Sequence, residues 1–324
     1  MSKVVALEIA PQAIRAAEIS GYNGKNPKLL RTGELKLNEE LQVAGDSAVH
    51  KPEEFTEALQ HLWAESGFTT RNVALLLSGK RFIVRPHLTM QTSMSVLRKV
   101  LPFEAAGSFP EQSEELLYDF YPTHAYEDRA GTQTEGLVIS TPAEPISELA
   151  MVLKNAKLEL EYVDFTPLAV TRWIRRNRPE QNYALVNIRD ESTDITVVEQ
   201  GMPRLIRVVP KGLSTARRRI DRGEENQGSP LLRRDVLGEN GVRILVQEIG
   251  LTVNTQSDSI ASDLECIFTS GPRAADPELR AVIGDLFDLP VEPLYIESLV
   301  GHEDPEHNRI PSFDDFVAMT GGMR

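Results

Sequence analysis

The chain has 324 residues, 41% of them apolar and 26% charged, a size and composition that suit two lobes or one large divided domain. Its net charge of −13 argues against a non-specific nucleic-acid binder, because phosphate neutralisation needs a basic face, though it leaves room for a local basic patch, and its single cysteine, Cys266, excludes a disulfide framework and a zinc site of paired cysteines. A lone thiol fits a reducing cytoplasm, the opening MSKVVALEIA lacks the form of a secretory signal, and no window approaches the ~18 apolar residues of a membrane span.

In chain order, residues 3–9 and 13–20 read as two strands, GYNGKNP (21–27) as a hairpin turn and 28–37 as a third strand. KPEEFTEALQHLWAESGF (51–68) predicts a helix: Pro52 and two glutamates suit its first turn, Phe55, Leu59, Leu62 and Trp63 form its apolar stripe, and Gly67 ends it. Residues 72–90 give two strands around Ser78 and Gly79, the first a fully buried NVALLL. Residues 95–123 hold a helix, a Phe-Pro interruption and a return strand. A polar loop is expected over 124–135, then a strand (135–142), an amphipathic helix (145–158) with Ile146, Leu149, Val152 and Leu153 inward, and a strand feeding a helix (159–177).

The opening pattern then returns. YALVNIRDESTDITVVEQGMPRLIRVVPKG (183–212) is again strand, turn, strand, hairpin and strand. At a shift of 179 residues, Ala6-Leu7-Glu8-Ile9-Ala10 falls on Leu185-Val186-Asn187-Ile188-Arg189, a weak internal repeat in which a polar residue holds the same slot near the turn. Residues 214–241 are charged, Gly-rich and weakly periodic, a mobile connection or a small helical subdomain. A helix follows over 242–259, with Ile244, Leu245, Ile249 and Val253 inward, then a buried strand within 264–274, and a helix with an edge strand over 277–294.

Other chemistry is sparse. His50, His61, His87, His124, His302 and His307 are scattered without metal spacing, Cys266 sits in an apolar strand as a core thiol, and Trp63 and Trp173 lie on helix stripes. ARRRIDR (216–222) is a solvated helix face or a contact for acidic headgroups or an acidic partner. No Ser-His-Asp set or nucleophile elbow is present.

Three stretches carry a family likeness: LPFEAAGSFPEQSEELLYDFYP (101–122), the strand–helix–strand–helix run 136–174, and LFDLPVEPL (286–294). In their order and spacing they resemble the PilM proteins of type IV pilus assembly, which are actin-like and related in fold to the cell-division protein FtsA. The resemblance implies an α/β, actin-like (ribonuclease H-like) fold of two lobes, residues 1–178 and 179–324, with an inserted subdomain near 80–160 in the first lobe and a variable segment near 213–241 in the second. It implies a cytoplasmic scaffold beneath an inner-membrane pilus platform, meeting the membrane only through partners. Those partners would be the short cytoplasmic tail of a PilN-like bitopic protein and, beyond it, a pilus assembly ATPase. In the family the tail lies between the first lobe and the insert, which points to Phe82, Ile83, Val84, Arg85, Val96, Val100 and Leu101.

The same resemblance directs attention to two phosphate-clamping hairpins that start Asp-x-Gly, where the carboxylate holds the water shell of Mg²⁺ and the glycine lets backbone N–H groups approach phosphate. Here the first turn has Glu8, Ala10 and Gln12, and the second has Asn187 and Arg189, with Ser192 and Thr193 either as phosphate donors or as strand-start hydroxyls. A third turn is reduced to Ser270 and Gly271 in TSGP, where Pro272 lacks a donor. Glu8 still has a carboxylate for a metal's water shell. Arg189 could reach a γ-phosphate, or fill the cleft by pairing with Glu8 or Asp190. ATP with Mg²⁺ is therefore the cofactor under consideration, with hydrolysis weakened at every part it requires. The competing readings are an active actin-like ATPase or sugar kinase, and an FtsA-like filament; the latter would need a terminal amphipathic helix where this chain has FDDFVAMTGGMR.

Overall fold

The structure, a computed structural model, describes residues 2–10, 13–22, 27–37, 49, 51–109, 115–128, 131–216, 239–254, 263–271 and 274–294. Gln12, Pro272, most of the expected 214–241 segment, His50, His302 and His307 lie outside the described residues.

β1 (Lys3–Ala10), β2 (Ala13–Ser20) and β3 (Lys28–Lys36) form an antiparallel meander; α1 (Pro52–Ser66) crosses over, and β4 (Asn72–Leu77) returns parallel to β1. β5 (Ile83–Met90), α2 (Met94–Ala105), β6 (Leu116–Asp128) and β7 (Gly131–Pro142) come next, and α3 (Ala143–Asn155) leads to β8 (Glu159–Phe165), parallel to β4. After α4 (Thr166–Asn177) the scheme repeats: β9 (Tyr183–Ile188), β10 (Thr193–Glu199) and β11 (Met202–Val209) form a meander, followed by α5 (Leu213–Ala216), α6 (Glu239–Asn254), β12 (Cys266–Ser270), α7 (Pro277–Phe287) and β13 (Val291–Pro293). The two five-stranded sheets have orders β3-β2-β1-β4-β8 and β11-β10-β9-β12-β13, so strand order and direction match one for one. β5, β7 and β6 make a third, antiparallel sheet.

Side-chain alternation builds the layers. Along β1, Val5, Leu7 and Ile9 face out onto α1 and α3, meeting Phe55, Leu59, Leu62, Leu149, Val152 and Leu153. Along β9, Ala184, Val186 and Ile188 face α6 and α7. The alternate residues, Val4 and Ala6 with Tyr183 and Leu185, turn inward onto a cluster shared by both sheets and α4, which contributes Ala169, Val170, Trp173 and Ile174. Sheets covered on both faces explain the near-continuous apolar runs of β4 and β9. The shift of 179 residues keeps this parity: Ala6 and Leu185 both face inward, and so do Glu8 and Asn187 two residues on.

Two expectations need correction. Residues 124–128 and 131–135 are strand rather than loop: β6 runs to Asp128 and β7 starts at Gly131, pairing His124 with Glu135 and Ala125 with Thr134. These residues stand beyond the core, where hydrophobic patterning is silent while the backbone ladder continues through good strand formers such as Thr132 and Thr134. On α6 the inward stripe is Val242, Leu245, Val246 and Ile249, spaced three, four and seven apart, and Ile244 is 43% exposed. α1 follows its signals, from Pro at the first turn to Gly67 at φ 63.

Candidate functional site between the two sheets

The inward faces of the two sheets carry matching cross-strand rows. In the first, Leu76, Glu8, Arg15 and Glu34 lie side by side across β4, β1, β2 and β3. In the second, Ser270, Asn187, Asp194 and Val208 lie side by side across β12, β9, β10 and β11. Glu8 thus corresponds to Asn187 and Arg15 to Asp194. Both rows sit at the ends of the inward apolar stripes, so their charged groups are drawn out of water: Glu8 is 3% and Asp194 1% exposed.

Buried charges need partners, and here each has one. Arg15 donates from Nη1 to Glu8 Oε2 at 3.3 Å and from Nε to Glu34 Oε1 at 3.3 Å. Arg189 crosses from the second sheet: its Nη1 lies 2.7 Å from Glu8 Oε1, and its Nε lies 3.6 Å from Asp194 Oδ2. Asn187 Nδ2 donates to the same Asp194 oxygen at 3.3 Å. The polar chain Glu34–Arg15–Glu8–Arg189–Asp194–Asn187 therefore spans the space between the sheets with alternating charge.

The turn that carries Arg189 is held by backbone. Arg189 N donates to Ser192 O at 2.9 Å; Leu213 N and Ser214 N donate to the carbonyls of Arg189 and Asp190, each at 2.8 Å. Gly212 presses on this turn so closely that a Cβ would stand 2.3 Å from Arg189 O. Thr193 Oγ1 donates to Lys211 O at 2.8 Å, and Ser192 is buried beside it. Ser270 Oγ is buried without a hydrogen-bond partner, and Gly271 takes φ +100 against Ile188. Ala10 closes the β1–β2 turn opposite Ala13. Of the sequence-predicted residues, Glu8, Asn187, Arg189 and Ser270 thus gather around one cleft with Gly271 at its edge, whereas Thr193, paired with Ile188, belongs to the outward face of its sheet. Arg15, Asp194 and Gly212 complete it without having been singled out; an acid and a base at inward positions of alternating strands were the available signal.

Burial pushes the Asp194 carboxyl up to about 6; Arg189 and the Asn187 amide oppose this, and the Glu8 charge adds to it. Between its ordinary value of 3.8 and about 6 the folded chain holds a proton that the unfolded chain has lost. Stability therefore falls as pH rises through that window and levels off above it, by about 3 kcal/mol at ~1.4 kcal/mol per unit. Asp194→Asn should flatten this fall: in urea denaturation the variant gains on the parent from pH 4.5 to 7.5 by about 2 kcal/mol, the part of the fall that lies above pH 4.5. Parallel profiles would show that Asp194 is not the titrating group.

The seven residues of the expected tail groove do not share one surface. Leu101 is fully buried under α2 with Leu97, Phe109 and Phe120, with Ile83 and Val100 packed partly against them. Val84 is buried with Leu137, Ile139 and Phe165, and Phe82 stacks on Phe165 at 4.8 Å between ring centroids. Of the set, Arg85 and Val96 are exposed. Helix periodicity shows which α2 residues share a stripe, but not that the stripe turns onto its own sheet.

Comparison with solved structures places this architecture. The chain matches a chain of a PilM–PilN type IV pilus biogenesis complex at TM-score 0.78 and 19% identity, covering 100% of this chain and 98% of that one. It also matches the ethanolamine utilization protein EutJ from Carboxydothermus hydrogenoformans (TM-score 0.55, 12% identity, 99% and 89% covered). A third match is MreB 5 of Spiroplasma citri bound to AMPPNP (TM-score 0.53, 11% identity, 99% and 95% covered). The fold is the α/β actin-like fold with its two mixed sheets. Among curated protein sequences nothing matches. The family model of the type IV pilus assembly protein PilM matches residues 6–208, more than half of the chain, and the chain belongs to that family. No helix among the described residues is long and apolar enough to cross a membrane.

Proposed function

We propose that this protein is a non-catalytic scaffold of a type IV pilus inner-membrane platform, working at the cytoplasmic face and binding the short cytoplasmic tail of a PilN-like bitopic partner. The observation that carries the reading is the end-to-end likeness to a chain of a PilM–PilN complex, joined to the family match over 6–208. On this reading the lobes divide at 178/179, and the insert near 80–160 supplies the tail surface through its exposed residues. Arg85 on the edge strand β5 and Val96 on α2 are the accessible members of the expected groove. A short extended tail laid along such an edge gains main-chain hydrogen bonds from the strand and specificity from neighbouring side chains.

The scaffold reading also rests on the cleft, whose residues do not suit a nucleotide with Mg²⁺. The backbone amides of Leu213 and Ser214 are spent on carbonyls of the 189–190 turn, and Thr193 on Lys211. Asn187 directs its amide to Asp194, and Glu8 is neutralised by two arginines. A triphosphate would have to break these contacts before forming its own.

A synthetic peptide of the cognate partner's cytoplasmic tail tests the proposal by fluorescence anisotropy. The protein should bind it without nucleotide, and Val96→Asp should weaken binding at least about tenfold, the effect of ~1.4 kcal/mol. Leu101→Ala should act instead on stability, by about 2–5 kcal/mol. Phosphate release from ATP should stay at background. Absence of peptide binding sinks the partner assignment, and turnover abolished by Glu8→Gln sinks the non-catalytic one.

A further inference from the structure

We propose that Arg189 is an internal cation that ties the two lobes together across the cleft, so that their closed arrangement needs no bound nucleotide or metal. The inference rests on the reading of the cleft as having lost its triphosphate clamp, and it goes beyond that reading by giving the substituted residue a role.

Three observations carry it. The first is reach: Arg189 belongs to the second sheet's hairpin, yet it makes a 2.7 Å ion pair with Glu8 on the first sheet. Nη1 takes Glu8 while Nε faces Asp194 at 3.6 Å, so one guanidinium lies between two carboxylates of different lobes. A planar fork can do this and a lysine ammonium, a single point charge, serves it poorly. The second is anchoring at both ends. The 189–192 turn is pinned by its own hydrogen bond and by the start of α5, with Gly212 filling the space behind it. Glu8 is pinned by its cross-strand neighbour Arg15, which is held in turn by Glu34. Neither end can follow the other if the lobes part, so opening breaks the pair. The third is position. The shared apolar cluster around α4 lies along the same inward strand faces, and the pair stands at their ends beside the hairpin turns.

A second tie on another side has the same effect. Val84, Leu137 and Ile139 of the inserted sheet pack with Ile206 of β11, and Arg204 Nη1 donates to Glu135 at 3.0 Å. The lobes are thus joined at the cleft, along α4 and through the insert. A scaffold joined in this way presents one shape to its partner whatever the nucleotide supply.

Backbone hydrogen exchange on the full chain tests this with Arg189→Met, Glu8→Gln and the double variant, and with the parent in excess Mg·AMPPNP. Glu8→Gln keeps the side chain's volume and serves if Arg189→Met folds poorly. Each single variant should speed exchange at least about tenfold in both hairpins, residues 3–20 and 183–199, although each changes only one of them. The double variant should go no further than the faster single, because both remove the same bond. Mg·AMPPNP should leave the parent's exchange unchanged. A speed-up confined to the substituted hairpin, or strictly additive singles, would overturn the tie. Slowed exchange in the parent with Mg·AMPPNP would overturn the underlying reading of the cleft, and the tie with it. The tail peptide takes no part, so failure of the partner assignment would leave these outcomes unaffected.

Discussion

Phe268→Ala should cost about 3–5 kcal/mol, the range for deleting a fully buried aromatic ring from a core that relaxes only in part. Phe268 lies on β12 with no exposure and packs in the cluster shared by both sheets and α4. Its ring meets Tyr183 edge to face, with centroids 5.3 Å apart, and the Arg178 guanidinium stands 5.7 Å over it. The ring pair contributes about 0.5–1.5 kcal/mol beyond its area, so Phe268→Leu, which fills most of the volume, should recover the larger part of the loss. Phe103→Ala is the matched control. That ring is 83% exposed, and its removal should stay within about 0.5 kcal/mol. Urea denaturation decides: the midpoint of Phe268→Ala should fall sharply with the slope unchanged. Equal midpoints for the two alanine variants would mean that the cluster between the sheets does not hold the lobes together.

That cluster shows why much of the fold was legible in sequence. Strand limits are local, so residues 3–9 and 13–20 could be read before any partner was known, and the same pattern returns 179 residues later; which of Val4 and Val5 faces the shared cluster could not, because both faces of β1 are apolar. α1 announced its limits with Pro52 and Gly67. The β6–β7 extension was illegible because its residues 131–135 are only half-buried and add no apolar side chain to the core; its cause is a ladder between two strands, and neither alone carries the pattern. Ile244 was misplaced because the start of α6 had no cap in view to fix the phase of its stripe.

The cleft was legible only along the chain. Glu8, Asn187 and Arg189 stood out as departures at expected positions. Arg15 and Asp194 are their neighbours across a strand pair, at a register that the hairpin sets: Glu8 opposite Arg15, and Asn187 opposite Asp194. Reading that register needs the turn lengths, and the two hairpins differ, with two residues between β1 and β2 but four between β9 and β10. The acid absent at Asn187 stands one strand over at Asp194. The choice left open for Arg189, phosphate contact or pairing within the cleft, depends on side-chain geometry alone, and there its Nη1 lies 2.7 Å from Glu8 Oε1.

Gly271→Ala should be nearly as damaging as the loss of Phe268, for a different reason. Gly271 has φ +100, which L-residues rarely adopt, and a Cβ there would stand 2.2 Å from Ile188 O and 3.1 Å from Asn187 Oδ1. Neither atom can retreat cheaply. Ile188 ends β9 opposite Thr193, and the next residue is Arg189, whose turn is locked to the start of α5. Relieving the clash would move Asn187 and the Arg189 turn together, so strain at one glycine becomes strain on the contact between lobes. The expected loss is about 3 kcal/mol, at the upper end for overpacking a close-packed site. Gly67→Ala separates the two causes: its φ is +63, but nothing lies within 4 Å of the added methyl, so it should lose only the ~1–2 kcal/mol of a left-handed L-residue. Gly212→Ala, with its Cβ 2.3 Å from Arg189 O, should fall with Gly271→Ala. If both cleft variants unfold in urea no earlier than Gly67→Ala, the backbone around Arg189 yields readily, and a guanidinium carried on it could not hold two lobes in register.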